Sequence, residues 1–432
     1  MNRKMVAVLV VLALLSQPVL IDARSKDLKE IKLPAPKEIR MSLEKALMRR
    51  NSVRVFSEEN ISLKDLSTIL WAAYGYTSKG RTIHCFNCAV KIYVLMKDGV
   101  YVYDPERHAL VLYKEGDYRN VSQYKAPVQI GIVWNRTKGE ENLSCAEIGA
   151  IGQNVYLAAN ALDLGTVTTV GFTLKSIGLP KNEVPKIIMP LGHLKHPYKF
   201  IYFPFLISNF PRVKFSNVSL TEALNDLGKC EEFGGNLTEQ EKAQIIWSTY
   251  GYSYYVDFTK DEFRYHLYRH RTVPSAHAYY PLRIYAITKE GIYRFIPNIY
   301  DPIYKIPIAF IPIPIPVFSF IVKVKGGDHR EVVSEAIDVN VSSSPLIIIS
   351  ILDLDRTRPK GHDDFSGKEF RWLWYYEAGA SAHNALLEAI TFNLSASVYP
   401  IKSKETILNL LELSEDKFDP LLVTAIGISQ RR

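Results

Sequence analysis

The chain has 432 residues, enough for two or three domains at roughly 150 residues each. Hydrophobic residues make up 47% and charged residues 23%, a globular balance that excludes collagen, coiled coil and full-length disorder. The net charge of +8 is spread along the chain, which leaves no basic stripe for nucleic acid, and a mean hydropathy of −0.04 excludes a multi-spanning membrane protein.

Residues 1–23 read as a targeting segment. Arg3 and Lys4 precede an apolar run from Met5 to Leu15, which is short for a membrane span and is broken by Pro18. Ala23 could precede a cleavage point, but Ile21 breaks the small-x-small pattern, so the segment is a signal peptide or a retained membrane anchor. Asn-x-Ser/Thr acceptors begin at Asn60, Asn120, Asn135, Asn142, Asn217, Asn236, Asn340 and Asn393. Together these point to an extracytoplasmic chain, secreted or membrane-anchored. Residues 24–40, rich in Lys and Pro, read as a linker.

From residue 41 the chain repeats itself. Ser42-Leu-Glu-Lys-Ala-Leu returns as Ser219-Leu-Thr-Glu-Ala-Leu, and Ile69-Leu-Trp-Ala-Ala-Tyr-Gly-Tyr as Ile245-Ile-Trp-Ser-Thr-Tyr-Gly-Tyr. Lys91-Ile-Tyr-Val returns as Arg283-Ile-Tyr-Ala, and the segment from Glu147 to Leu164 as that from Glu377 to Leu394. The separation grows from 177 residues (Ser42 to Ser219) to 230 (Glu147 to Glu377). That period is domain-sized, far beyond the 20–50 residues of a solenoid. We expect two copies, residues 41–208 and 213–429, the second with insertions at about 300–326 and 353–370.

The same elements are expected in each copy. Ser62-x-x-Asp65 and Thr238-x-x-Glu241 open helices that end near Gly75 and Gly251. Strands follow at 92–96 and 100–103, or 284–287 and 292–295, and then at 128–134, or 346–352. A long helix comes next, at about 146–162 or 372–392. A strand, a short helix and a final strand close each copy. Mixed elements without strict βαβ alternation indicate an α+β fold. The alternating Pro/Ile run from Ile306 to Phe318 cannot be helix. It reads as an extended apolar segment on its own domain, or a lid or contact surface.

Cys85-x-x-Cys88 could be a disulfide, a redox pair or half a metal site. With no second such pair, an incidental or structural role is favoured and no metal site is expected. Two strings can carry ligand chemistry. In Arg49-Arg50-Asn51-Ser52-Val53-Arg54, guanidinium forks match phosphate oxygens. In the loop from His270 through Pro274-Ser275-Ala276-His277 to Leu282, small residues let backbone approach a flat ring.

In their order along the chain these strings resemble the nitroreductase-like flavoproteins, closest to the SagB-type branch, over nearly all residues after 40 and twice over. The resemblance implies a dimer-like pair of α+β domains with FMN between them. By it, Arg49, Arg50, Ser52 and Arg54 hold the phosphate and ribityl chain, and Pro274, Ser275, Ala276 and His277 lie along the flavin. Thr168, Thr169, Gly171 and Phe172 match the segment near the ring, and Gly192 and His193 the strand at the phosphate end. The copies divide these elements. Copy two has Asp226, Leu227, Lys229 and Glu231 where copy one has its arginines and serine. Copy one lacks the Pro-Ser-Ala loop, and Ser395 replaces Gly165 in copy two. The expectation is an intramolecular pseudo-dimer with one FMN site and one dead site. The implied function is an FMN-dependent oxidoreductase acting on a small-molecule substrate, with NAD(P)H or another electron donor. No Rossmann fingerprint and no acid/base residue is identifiable. The rival expectation is an exported, non-catalytic surface protein that kept the fold and lost flavin.

Overall fold

The computed structural model describes residues 29–201, 211–228, 233–257, 267–298 and 319–429. The targeting segment, the Pro/Ile run, Lys229 and Glu231 lie outside them. The chain begins with β1 (Glu30–Lys32), α1 (Leu43–Arg49), α2 (Leu63–Tyr74), β2 (Tyr76–Thr77), β3 (Gly80–Arg81), β4 (Val90–Leu95), β5 (Gly99–Asp104) and β6 (Ala109–Glu115). It continues with β7 (Val128–Asn135), the long α3 (Glu141–Ala161), β8 (Leu164–Thr166), β9 (Thr169–Val170), β10 (Glu183–His193) and β11 (Lys199–Ile201). Then come α4 (Leu220–Asp226), β12 (Phe233–Gly234), α5 (Glu239–Tyr250), β13 (Tyr252–Asp257), β14 (Leu267–Arg271), β15 (Leu282–Thr288), β16 (Gly291–Ile296) and β17 (Phe320–Gly326). The last elements are α6 (Arg330–Ile337), β18 (Leu346–Asp353), α7 (Arg371–Thr391), β19 (Ser395–Pro400), α8 (Lys404–Leu411) and β20 (Phe418–Ser429).

Two antiparallel sheets share one strand order. The first runs β6-β5-β4-β7-β10-β8 and the second β17-β16-β15-β18-β20-β19. Local chemistry explains why the equivalent helices match. The Ser62 hydroxyl accepts from the Asp65 amide at 3.0 Å, and Thr238 and Glu241 form a reciprocal capping box. Each helix then stops on a Trp-x-x-x-Gly-Tyr string. The indoles of Trp71 and Trp247 donate to the carbonyls of Tyr76 and Tyr252 at 3.1 and 3.0 Å. That folds each Trp over its helix end, and a Cβ at Gly75 would sit 2.5 Å from the Trp71 ring.

The units meet through reciprocal contacts. Ser42 bridges Ser219, with Leu43 donating to Val218 at 3.1 Å and Leu220 to Met41 at 2.9 Å. Helices α3 and α7 cross so closely that a Cβ at Gly149 would strike the carbonyl oxygen of Tyr376, and one at Gly379 that of Ala146. Residue i touching j while the equivalent of j touches the equivalent of i is the property of an isologous, two-fold contact.

Two boundaries read from sequence need correction. Residues 24–40 are not wholly a linker. Residues 30–32 pair with β6 as an edge strand, and Leu33 and Ile39 are buried in the core, because apolar residues recur among the lysines and prolines. The insertion placed at 300–326 ends earlier, since 320–326 is β17 and pairs with β16 as β6 pairs with β5. Among the described residues no helix is long and apolar enough to cross a membrane, and no cluster of three or more metal-ligating side chains occurs.

A buried acid pair also sits where the units meet. Glu44 accepts from the Ser216 amide at 3.0 Å, and Gln244 donates to Glu388 at 2.7 Å. Burial first, and then the neighbouring Glu44, push the Glu388 carboxyl well above its ordinary 4.5. The folded chain therefore binds a proton that the unfolded chain releases above about pH 4.5, and stability falls as pH rises beyond that point. Glu388→Gln, which mimics the neutral acid, should be more stable than wild type at pH 8 and equal to it at pH 4. Denaturant midpoints at the two pH values check this.

Candidate functional site

Helix α1 ends at Arg49, and from Arg50 the chain runs extended, which puts residues 50, 52 and 54 on one side. Val53 locks this stretch by donating to the Thr166 carbonyl at 2.9 Å. The close approach needs Gly165, where a Cβ would lie 2.5 Å from the Val53 side chain.

Opposite lies the loop of residues 272–281. His277, Ala278 and Tyr280 all have positive φ, at 51°, 56° and 48°. Left-handed backbone costs roughly 1–3 kcal/mol at each non-glycine and persists only when its surroundings impose it. They do so here. Arg50 Nε donates to the Arg271 carbonyl at 2.7 Å, and Gln153 Nε2 to that of Thr272 at 2.9 Å. Ser275 takes the Tyr280 amide at 2.9 Å, the His277 ring stacks on Phe365 at 5.0 Å, and Tyr279 donates to the Asp363 carbonyl at 3.0 Å. The insertion around 353–370 thus braces the loop from outside.

The two stretches face each other across a cavity of about 820 Å³, inside the range of small-molecule sites. One wall is Arg50, Ser52, Arg54, Tyr156, Thr168 and Thr169. The other is His270, Pro274, Ser275, Ala276 and His277, with Trp372 and Tyr376 of α7. No Asp or Glu occurs among the described lining residues. Arg50 is only 1% exposed and its Nη1 has no hydrogen-bond partner, an arrangement that is costly unless an anion completes it. Burial, then Arg50 and Arg54, hold the His270 imidazole well below its ordinary range, so it stays neutral. Burial and the neighbouring Tyr156 keep the Tyr376 phenol protonated. Hydroxyls link the two halves: Ser52 meets Tyr156 at 3.2 Å, Tyr156 takes the Thr168 amide at 2.8 Å, and Thr168 meets Tyr376 at 2.7 Å.

Of the residues expected here, Arg50, Ser52, Arg54, Thr168, Thr169, Pro274, Ser275, Ala276 and His277 line the cavity. Five do not, and each has a physical reason. Arg49 still belongs to α1 and turns outward, pairing with Asp163 at 2.7 Å and lying over the Phe200 ring. Gly171 is pressed against the backbone of Ile187, and Phe172 is 60% exposed. Gly192 packs on Pro127 and Phe56, and the His193 carbonyl takes the Ser57 amide at 2.9 Å. Sequence reasoning missed Tyr156, Trp372 and Tyr376. The face Gly149-x-x-Gly152-Gln153-x-x-Tyr156 marks a helix crossing, and that spacing could have found the first of them.

The equivalent position on the other side is closed. A void of about 10 Å³ remains there, the size of one water. Leu386 and Val398 stand where the open cavity has Tyr156 and Thr168, and Ala146 where it has Tyr376. His84 and Phe86 also border it, on a loop closed by a Cys85–Cys88 disulfide. Glu147 braces that loop by accepting from the Asn87 and Cys88 amides at 2.5 and 3.0 Å. Asp226, at the place of Arg49, pairs with Lys79 at 2.7 Å.

Residues 47–193 match the model of the Nitroreductase family. A Methanocaldococcus jannaschii protein that carries the nitroreductase name is 34% identical over 194 residues, 38% of this chain and 97% of the relative. The chain therefore belongs to the nitroreductase family. Among solved structures, one of that name from Anabaena variabilis superposes with a TM-score of 0.64 over 92% of this chain and 94% of its own, at 14% identity. The shared fold thus extends well beyond the segment matched by the family model. A Desulfovibrio desulfuricans protein of that name, crystallised with FMN, is 21% identical over 39% of this chain and 98% of its own, with a TM-score of 0.29.

Proposed function

We propose that the chain is an FMN-dependent oxidoreductase of the SagB type. Its units, residues 41–208 and 213–429, form a fused pseudo-dimer that binds one FMN in the cavity between them. The observation that carries this reading is the buried Arg50. Arg50 belongs to the wall of a cavity with no carboxylate among its described lining residues and with the Pro274–His277 loop as its other wall, and its buried Nη1 has no hydrogen-bond partner. A phosphate suits that orphaned cation. The matching strand orders and reciprocal contacts support the pseudo-dimer, and the closed equivalent position supports a single site.

When bound, FMN supplies hydride and electron transfer to a small-molecule substrate. Arg50, Arg54 and Ser52 hold its anionic end. The 274–277 loop and Trp372, which line the same cavity, would sit beside its flat part. Electrons come from NAD(P)H or another donor entering through the open cavity. Asn60, Asn120, Asn217, Asn236, Asn340 and Asn393 are exposed, which supports an extracytoplasmic chain open to glycosylation, secreted or anchored by its first segment.

The test is to purify the chain and look for the visible absorbance of flavin, with identification of the released cofactor by mass. Bound FMN supports the reading. A colourless chain that takes up no added FMN would leave the exported, non-catalytic protein as the better account.

A further inference from the structure

A buried acid lies behind the cavity wall, and its hydrogen bonds have fixed directions. Glu377 on α7 is fully buried. Its Oε2 accepts from the Ser275 hydroxyl at 2.6 Å, and its Oε1 accepts from the Tyr250 hydroxyl. Both hydroxyls are themselves acceptors, Ser275 of the Tyr280 amide at 2.9 Å and Tyr250 of the Leu282 amide at 3.1 Å. A backbone N–H can only donate, so an ionised Glu377 receives both hydroxyl protons.

The two sides differ when Glu377 gains a proton. Tyr250 is fully buried, and its O–H points to Glu377. Ser275 lines the cavity. A serine oxygen takes two hydrogen bonds and gives one. It can accept from both the Tyr280 amide and a protonated Glu377 while its own O–H turns into the cavity. We propose that Glu377 is the proton store of this site and acts through Ser275, which passes the proton to a substrate atom in the cavity. The step balances. The Glu377 Oε2–H bond breaks as a Ser275 Oγ–H bond forms, and the former Ser275 proton bonds to the substrate atom. The hydride goes from reduced flavin to another atom of the substrate, and the displaced electron pair leaves the negative charge on the atom that Ser275 protonates. Glu377 is left as a carboxylate holding both hydroxyl protons, and solvent re-protonates it. This rests on the flavin reading above.

The surroundings suit a proton store near neutrality. Burial raises the Glu377 carboxyl to about 7, against the opposing pull of Ser275, Tyr250 and Arg271. The groups facing it are Tyr250 on α5, Arg271 at the end of β14, stacked on Tyr250 and Tyr280, and Tyr376 beside it on α7. From the first unit, Tyr156 and Arg50 act on Tyr376. In the closed position the equivalent Glu147 takes the Asn87 and Cys88 amides on Oε1, and among the described residues no hydroxyl donates to it.

The test has two arms. In the first, FMN-loaded chain is reduced with dithionite and mixed with p-benzoquinone. Reoxidation in wild type should fall about tenfold per pH unit above 7. Glu377→Gln and Ser275→Ala should each be about 100-fold slower with no such limb, and Glu377→Asp should restore it. In the second, infrared titration of the flavin-free chain should show a carboxyl band lost near pH 7, absent in Glu377→Gln and moved to higher pH in Ser275→Ala. Profiles for Glu377→Gln that match wild type, or a band unmoved by Ser275→Ala, would overturn the proposal. A chain that binds no FMN yet shows the shifted band would defeat the flavin reading and leave the proton pair standing.

Discussion

Arg50→Glu should abolish FMN binding, weakening it at least ~1000-fold, about 4 kcal/mol. The guanidinium is buried against Tyr156, its Nε is held by the Arg271 carbonyl, and its Nη1 is left without a partner. A carboxylate there removes the donor and repels the phosphate, and it also frees the start of the 272–281 loop. Ser275→Tyr should block binding for a different reason, since the larger side chain would project into the cavity that Ser275 lines. Asp226→Asn should bind as wild type does, because the Lys79–Asp226 pair is half exposed and such pairs contribute little. A buried cation without its anion also lowers stability. Arg50→Met removes that uncompensated charge together with the hydrogen bond to the Arg271 carbonyl, and should fail to bind FMN. Titration of the flavin-free chains with FMN, followed by fluorescence, and thermal melts of the same samples separate lost binding from lost folding.

The second large effect is expected at the helix crossing. Gly149→Ala puts a methyl group into the Tyr376 carbonyl oxygen, and Gly379→Ala does the same at Ala146. The obstacle is helix backbone, which cannot rotate away as a side chain can, so each change should cost about 3 kcal/mol or more. Spreading α3 from α7 also shifts Tyr376, whose hydroxyl reaches Thr168 across the crossing. Denaturant unfolding should show a lower midpoint for each variant, together with weaker FMN uptake. A midpoint equal to wild type would mean that the units do not meet along this line.

Much of this was legible in the sequence, where side-chain chemistry acts locally. The capped helices closed by Trp-x-x-x-Gly-Tyr could be read twice, because the caps and the indole–carbonyl bond lie within a few residues of one another. The phosphate string was legible as a composition but not as a geometry. Helical phase turns Arg49 outward, while extended backbone aligns Arg50, Ser52 and Arg54. The three residues of β1 are too few to show alternation, and β6 and β17 are recognisable through the neighbours they pair with. Tyr156, Trp372 and Tyr376 read as core aromatics because their function comes from another unit arriving opposite them. Glu377 and Glu147 are equivalent in sequence. What distinguishes them is whether a hydroxyl or a backbone amide meets the carboxylate, which only the folded loops decide.

The most direct test of the whole account is a count of flavin per chain. Chain saturated with FMN and freed of excess should release one equivalent of FMN on denaturation, and Arg50→Glu none. Two equivalents would mean that the closed position is a working site, and none in wild type would remove the flavoenzyme altogether.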